Sequence, residues 1–140
     1  MKKIALLLNL TLWAAVGFSQ SDAPCHLVVK VENIKKIQGH MMFAVYDHDE
    51  KFLKEAISWG DSKISENWVI YTFEGLKAGI YAISIFHDEN DNGKLDTNFI
   101  GIPTEPYGFS NNAKGMFGPP DFKDCQVEVA AGKKEIVITL

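Results

Sequence analysis

Arginine is missing from all 140 residues, so every side chain of permanent positive charge is a lysine. Without guanidinium forks, and with 18 acidic groups against 14 lysines, the chain is a poor match for phosphate backbones, and no nucleic acid partner is expected. Cysteine is nearly absent too. The two present, Cys25 and Cys125, form no Cys-x-x-Cys pair, which argues against thioredoxin-type redox chemistry. The four histidines, His26, His40, His48 and His87, never fall at the i, i+4 spacing of a helical zinc site. Beyond Val16 no apolar run is long enough to span a bilayer, and no internal repeat or low-complexity tract is present.

What is present begins with an export signal. Met1-Lys2-Lys3 is followed by an almost wholly apolar run from Ile4 to Val16, then by Gly17, Ser19 and Gln20. This order of charge, apolar stretch and small residues reads as a signal peptide over residues 1–20, cut between Gly17 and Ser21. The run falls short of the roughly 20 residues a spanning helix needs. The expected product is secreted or periplasmic, with no membrane span. A lipid anchor on Cys25 is disfavoured, because Pro24 precedes it and it lies well past the apolar run. Loss of two lysines on cleavage leaves 12 against 18 acids, a mature charge of −6. In an oxidising compartment paired thiols persist, so Cys25 and Cys125 are expected to form a disulfide. Such a bridge is worth about 4 to 5 kcal/mol in the chain-entropy model.

The remaining residues, 21–140, suit a single β-sandwich domain. His26–Val31, Met41–Tyr46, Trp68–Phe73, Ile80–Phe86, Cys125–Val129 and Glu135–Leu140 are rich in branched or aromatic residues and bounded by polar turns. They predict six strands, seven if part of the long loop pairs. The Glu74–Gly79 turn predicts that its two flanking strands are neighbours. Between Asp47 and Asn67, Phe52, Leu53, Ala56 and Ile57 recur at helical spacing and predict a short helix or turn. The fold class expected is all-β, an antiparallel sandwich of immunoglobulin-like or transthyretin-like type with one long ordered loop. Trp68 is expected in the core. Trp59 is read as capping a sandwich edge, with sugar stacking as the alternative.

The long loop, residues 87–124, exceeds the usual connection of roughly 4 to 6 residues several times over. Its aromatic residues Phe99, Tyr107, Phe109, Phe117 and Phe122 argue for an ordered lobe over one end of the sandwich, and four of the chain's five prolines stiffen it. It opens on Asp88-Glu89-Asn90-Asp91-Asn92-Gly93-Lys94-Leu95-Asp96. Asp88, Asn90, Asn92 and Asp96 take places 1, 3, 5 and 9 of a calcium loop, Gly93 the sharp turn at 6, and the Lys94 carbonyl place 7. Calcium is therefore the cofactor the pattern calls for, weighed against a tight turn satisfied by Asx hydrogen bonds alone. Place 12 holds Phe99 where an EF-hand has a bidentate Glu. A distant carboxylate, Glu105, Asp121 or Asp124, is then needed to complete the shell.

Phe86-His87 with this acidic run, Gly101-Ile102-Pro103, Tyr107 through Asn112 and Phe117-Gly118-Pro119-Pro120 together resemble the exported bacterial family catalogued as domain of unknown function 2141. Gly75-Leu76-Lys77-Ala78-Gly79-Ile80-Tyr81 resembles the turn and strand start of transthyretin-like and Cna B-type surface domains. The resemblance covers essentially the whole mature chain. It implies a secreted or periplasmic β-sandwich and carries no catalytic residues with it. Calcium in a similar loop of some Cna B-type domains supports the same four ligands by analogy.

Enzyme readings find little footing in the residues. Gly108-Phe109-Ser110-Asn111-Asn112 approaches a Gly-x-Ser-x-Gly elbow, but its last place is Asn and no strand-to-helix context surrounds it. The expectation is a non-enzymatic exported module with a structural calcium loop. The alternative is a recognition domain that binds a protein or glycan through the 87–124 lobe, favoured by exposure of Tyr107, Phe109 and Phe117.

Overall fold

The computed structural model describes residues 24–140. The expected signal peptide, residues 1–20, and its expected cleavage region lie outside the described residues. The fold is all-β, with eight strands: β1 (Cys25–Glu32), β2 (His40–Tyr46), β3 (Ser58–Lys63), β4 (Trp68–Leu76), β5 (Gly79–Asp88), β6 (Tyr107–Phe109), β7 (Val127–Val129) and β8 (Gly132–Thr139). One sheet has the order β4-β1-β8, and the second has the order β3-β2-β5-β6, with β7 also pairing β5. All pairings are antiparallel except β1 with β8.

Alternation along the strands explains the layers. Leu27, Val29 and Val31 of β1, Met41, Phe43 and Val45 of β2, and Tyr81, Ile83 and Ile85 of β5 all join one buried cluster between the sheets. Each such side chain contributes about 1.5 to 3 kcal/mol on leaving water. The residues between them on β2 and β5 face outward, and there a second cluster forms. Tyr46, Ala82, Phe109, Phe122, Cys125 and Phe52 pack together on that outer face. The long loop thus lies over a face of the second sheet, not over an end of the sandwich. Pairing of β6 with β5 supplies the seventh expected strand.

Four expectations are corrected. Strands β4 and β5 are not neighbours: β4 pairs β1 and β5 pairs β2, so the intervening turn carries the chain from one sheet to the other. Ser58–Lys63 is an eighth strand that the sequence pattern does not announce, whereas the short helix or turn expected before it is present as a 3-10 turn at Asp49–Lys51, with Phe52 alone of Phe52, Leu53, Ala56 and Ile57 buried. Trp68 points outward and is 45% exposed, with the Lys30 ammonium 5.9 Å from its ring, because its neighbour Val69 takes the inward position. No disulfide joins Cys25 to Cys125. Both are buried, but Cys25 belongs to the cluster between the sheets and Cys125 to the outer cluster, so the second sheet separates them. Burial, followed by repulsion from Asp124 and Asp121, pushes the Cys125 thiol up to about 11.

Candidate functional site

The acidic run starts where β5 ends. Pairing of Asp88 with His40 carries the end of β5 against the start of β2, and Gly39 allows that approach. At Gly39 φ is +66°, and a Cβ there would lie 2.0 Å from the Asp88 carbonyl oxygen. His87 is buried, its amide donates to the Pro106 carbonyl at 2.8 Å, and its Nε2 donates to the Gln38 carbonyl at 2.8 Å. These bonds fix the root of the loop to both the β1–β2 connection and the far side of the lobe.

The loop then curls on itself. Asp91 and Gly93 adopt positive φ, at 58° and 76°. The buried Asp88 carboxylate accepts the Asn92 amide at 3.1 Å through Oδ1 and the Gly93 amide at 2.7 Å through Oδ2. Asn90 Oδ1 also accepts the Asn92 amide, and Asn92 Oδ1 accepts the Lys94 amide at 2.8 Å. The Asp96 carboxylate receives both side-chain amides, from Asn90 at 2.7 Å and from Asn92 at 2.9 Å. The Asn90, Asn92 and Asp96 side chains meet directly, while Asp88 joins the curl through main-chain amides. Asp91, at an even place, turns away to His40 Nδ1 at 2.7 Å, and Glu89 pairs with Lys36.

Of the three distant carboxylates, the structure singles out Glu105. It is buried, and its oxygens accept the Glu89 amide at 2.8 Å and the Asp96 amide at 2.9 Å, one at each end of the curl. Glu105 therefore closes the loop through the backbone. Asp121 and Asp124 lie elsewhere: Asp121 pairs with Lys123 at 3.3 Å, and Asp124 precedes the buried Cys125. Phe99, at place 12, is 98% exposed and contributes nothing to the curl. Spacing could not have found Glu105, since its partners are main-chain groups 16 and 9 residues away.

Two carboxylates, two side-chain amides and the Lys94 carbonyl are donors of the hard kind calcium takes, and in the structure both oxygens of Asp88 and of Asp96 and the Oδ1 atoms of Asn90 and Asn92 accept N–H bonds within the loop. No group of three or more His, Cys, Asp or Glu side chains suited to a metal occurs among the described residues.

Elsewhere on the lobe, the Ser110 hydroxyl is fully buried, donates to the Cys125 carbonyl and accepts the Ile83 amide at 3.0 Å. Asn111 donates to the carbonyls of Asp124 and Gln126, and Asn112 accepts the Thr139 amide. The would-be elbow is a staple that fastens the lobe to both sheets. His48 pairs with Asp47 at 2.8 Å, and this hydrogen bond is the main cause holding the Asp47 carboxyl below its usual range. Trp59 stands 71% exposed on edge strand β3.

The lobe aromatics divide. Phe109 and Phe122 are buried, whereas Tyr107 is 44% and Phe117 100% exposed. Ile100, Ile102 and Met116 are exposed as well. Together with Leu53 and Leu95, several of these residues line an open groove of about 620 Å³. No helix among the described residues is long and apolar enough to cross a membrane.

No curated protein and no solved structure matches the chain. The bacterial family described as "uncharacterized protein conserved in bacteria" (DUF2141) matches over residues 29–137, from β1 into β8. That span takes in both sheets, the acidic curl and the lobe, and the chain belongs to this family.

Proposed function

We propose that the protein is an exported, non-enzymatic β-sandwich module in which a calcium ion held by Asp88, Asn90, Asn92, Asp96 and the Lys94 carbonyl orders the lobe. What supports this reading is the convergence of the Asn90 and Asn92 side-chain amides on the Asp96 carboxylate, with the Asp88 carboxylate turned into the same curl onto the Asn92 and Gly93 main-chain amides. A turn that only needed Asx bonds to its own backbone has no use for two amides on one distant carboxylate. With two charged ligands, affinity belongs in the extracellular range of about 0.1 to 1 mM. Ten millimolar calcium then adds about 1.4 to 2.7 kcal/mol by mass action. The test is a melting curve of chelator-treated protein with and without calcium. A rise in midpoint that Asp88→Ala abolishes supports the reading. An unmoved midpoint in the parent refutes it.

A second reading, recognition through the 87–124 lobe, is favoured by the exposed apolar residues around the groove. Monomeric proteins rarely gather such residues into one patch without a partner to cover them. The test compares retention of cell-envelope components, protein or glycan, on immobilised parent and on the Phe99→Ser, Phe117→Ser double variant. A component retained only by the parent supports a recognition lobe. Equal retention by both refutes it.

A further inference from the structure

At Asn92-Gly93, and nowhere else in the chain, an asparagine is followed by a glycine. The pair has a chemistry of its own, apart from any ligand. The carboxamide carbon of an asparagine can close a five-membered ring with the next main-chain nitrogen, and only glycine leaves that nitrogen without a Cβ beside it. Both residues are exposed, and nothing lies within 4 Å of where a Cβ on Gly93 would stand. Asn90, Asn98, Asn111 and Asn112 are all followed by residues with side chains.

In the closed curl both reacting groups are tied down. The Gly93 N–H donates to Asp88 Oδ2 at 2.7 Å, and the negative charge there opposes loss of its proton. The Asn92 carboxamide is fastened at both ends, since Oδ1 accepts the Lys94 amide at 2.8 Å and Nδ2 donates to Asp96 Oδ1 at 2.9 Å. The ring closes only after these bonds open. An exposed loop opens locally far more often than the whole domain unfolds. The restraint is made of the chain's own hydrogen bonds and operates with or without a bound ion.

We infer that Asn92 is a site of spontaneous deamidation, restrained by the closed curl, whose product keeps the curl from closing again. On opening, the Gly93 nitrogen gives its proton to hydroxide and attacks Asn92 Cγ. The N–Cγ bond forms, the Cγ–Nδ2 bond breaks, and Nδ2 takes a proton from water and leaves as ammonia. Water then adds to the cyclic imide. Cleavage between the Gly93 nitrogen and Cγ leaves aspartate at position 92, and cleavage between that nitrogen and the main-chain carbonyl carbon leaves isoaspartate. Nothing is oxidised or reduced. In the aspartate product an oxygen replaces the Nδ2 donor against Asp96 Oδ1, so two like charges stand where a hydrogen bond was. In the isoaspartate product the main chain gains a methylene before Gly93, which takes the Gly93 amide out of register with Asp88.

The experiment incubates the purified protein with chelator in mildly alkaline buffer, folded and in concentrated urea, and follows the loop peptide by mass spectrometry. Asn92 should be the first asparagine of the folded protein to convert, at a rate about tenfold or more below that in urea. Asp88→Ala and Asp96→Ala each remove one tie, and each should bring the rate towards the urea value. Asp96 is only half-buried, so its variant keeps the test open if Asp88→Ala fails to fold. Asn92→Gln, which would need a six-membered ring, should stay unmodified over the same period. The converted protein, separated by anion exchange on its added charge, should lose hydrogen-exchange protection at the Gly93 amide. A folded rate equal to the urea rate overturns the restraint. A loop that converts in urea but stays intact in the folded parent and in both Ala variants overturns the site. A converted protein whose Gly93 amide remains protected overturns the effect on the curl.

Discussion

Replacing Glu105 by Gln removes one negative charge and converts one acceptor oxygen into an NH₂ group, with almost no change in volume. In the parent, both carboxylate oxygens are used, one on the Glu89 amide at 2.8 Å and one on the Asp96 amide at 2.9 Å. The glutamine can serve only one of them, and its NH₂ faces the other N–H donor to donor. A hydrogen bond to a charged acceptor contributes about 1.5 to 3 kcal/mol, and a buried donor left without a partner costs about 1 to 3 kcal/mol. These overlap, because the lost bond and the orphaned donor are the same event. The remaining bond also loses its charge assistance, so the expected loss of stability is about 2 to 4 kcal/mol. Against a typical total of about 5 to 15 kcal/mol, that is a large fraction. Urea unfolding measures the global change, and amide hydrogen exchange at Glu89 and Asp96 places it. Both amides should exchange faster in the variant even where the global change is modest, since the ends of the curl open first. An unfolding free energy within ~0.5 kcal/mol of the parent, with unchanged protection at both amides, would refute the role assigned to Glu105.

The remaining predictions concern the frame around the loop. Gly39→Ala places a Cβ 2.0 Å from the Asp88 carbonyl at a φ of +66°, so it should destabilise by about 2 kcal/mol or more and disturb the loop amides, read by urea unfolding and amide chemical shifts. Phe52→Ala removes the ring that meets Tyr46 at 5.3 Å and Phe122 at 5.7 Å, and should cost about 3 to 5 kcal/mol with earliest loss of protection in the lobe. The raised Cys125 thiol has a pH signature: its folded value of about 11 lies above the unfolded value of 9.0, so its contribution is complete below pH 9 and is lost as pH rises towards 11. Stability of the parent should decline across that window, and Cys125→Ala should flatten the decline.

Where inward and outward residues alternate, the sequence was enough to place strands. Leu27, Val29 and Val31, or Tyr81, Ile83 and Ile85, announce a buried face by period two alone. Strand β3 hides because it is an edge: along Ser58–Lys63 only Gly60 is buried, against the Tyr71 ring, and a glycine carries no apolar signal. The partner of β4 is hidden from the sequence for a related reason. A short glycine-bearing turn suits both a hairpin and a passage between sheets, and the choice is made by contacts with β1, more than 35 residues earlier in the chain. The disulfide expectation failed because cysteine count and compartment say nothing of which face each thiol occupies. Within the acidic curl, the alternate oxygens were legible from spacing. Glu105 was not, since it acts through main-chain groups that every sequence possesses.

The central claim, that the alternate oxygens of residues 88–96 enclose a calcium ion, is met most directly by a calcium titration of chelator-treated protein followed by NMR. The signals to watch are the side-chain amides of Asn90 and Asn92 and the backbone amide of Gly93. The account predicts saturating shifts concentrated in the loop, with a midpoint of about 0.1 to 1 mM, that vanish in Asp96→Ala. Signals that stay fixed through 10 mM calcium, about ten times the weakest affinity expected of such a loop, would contradict it.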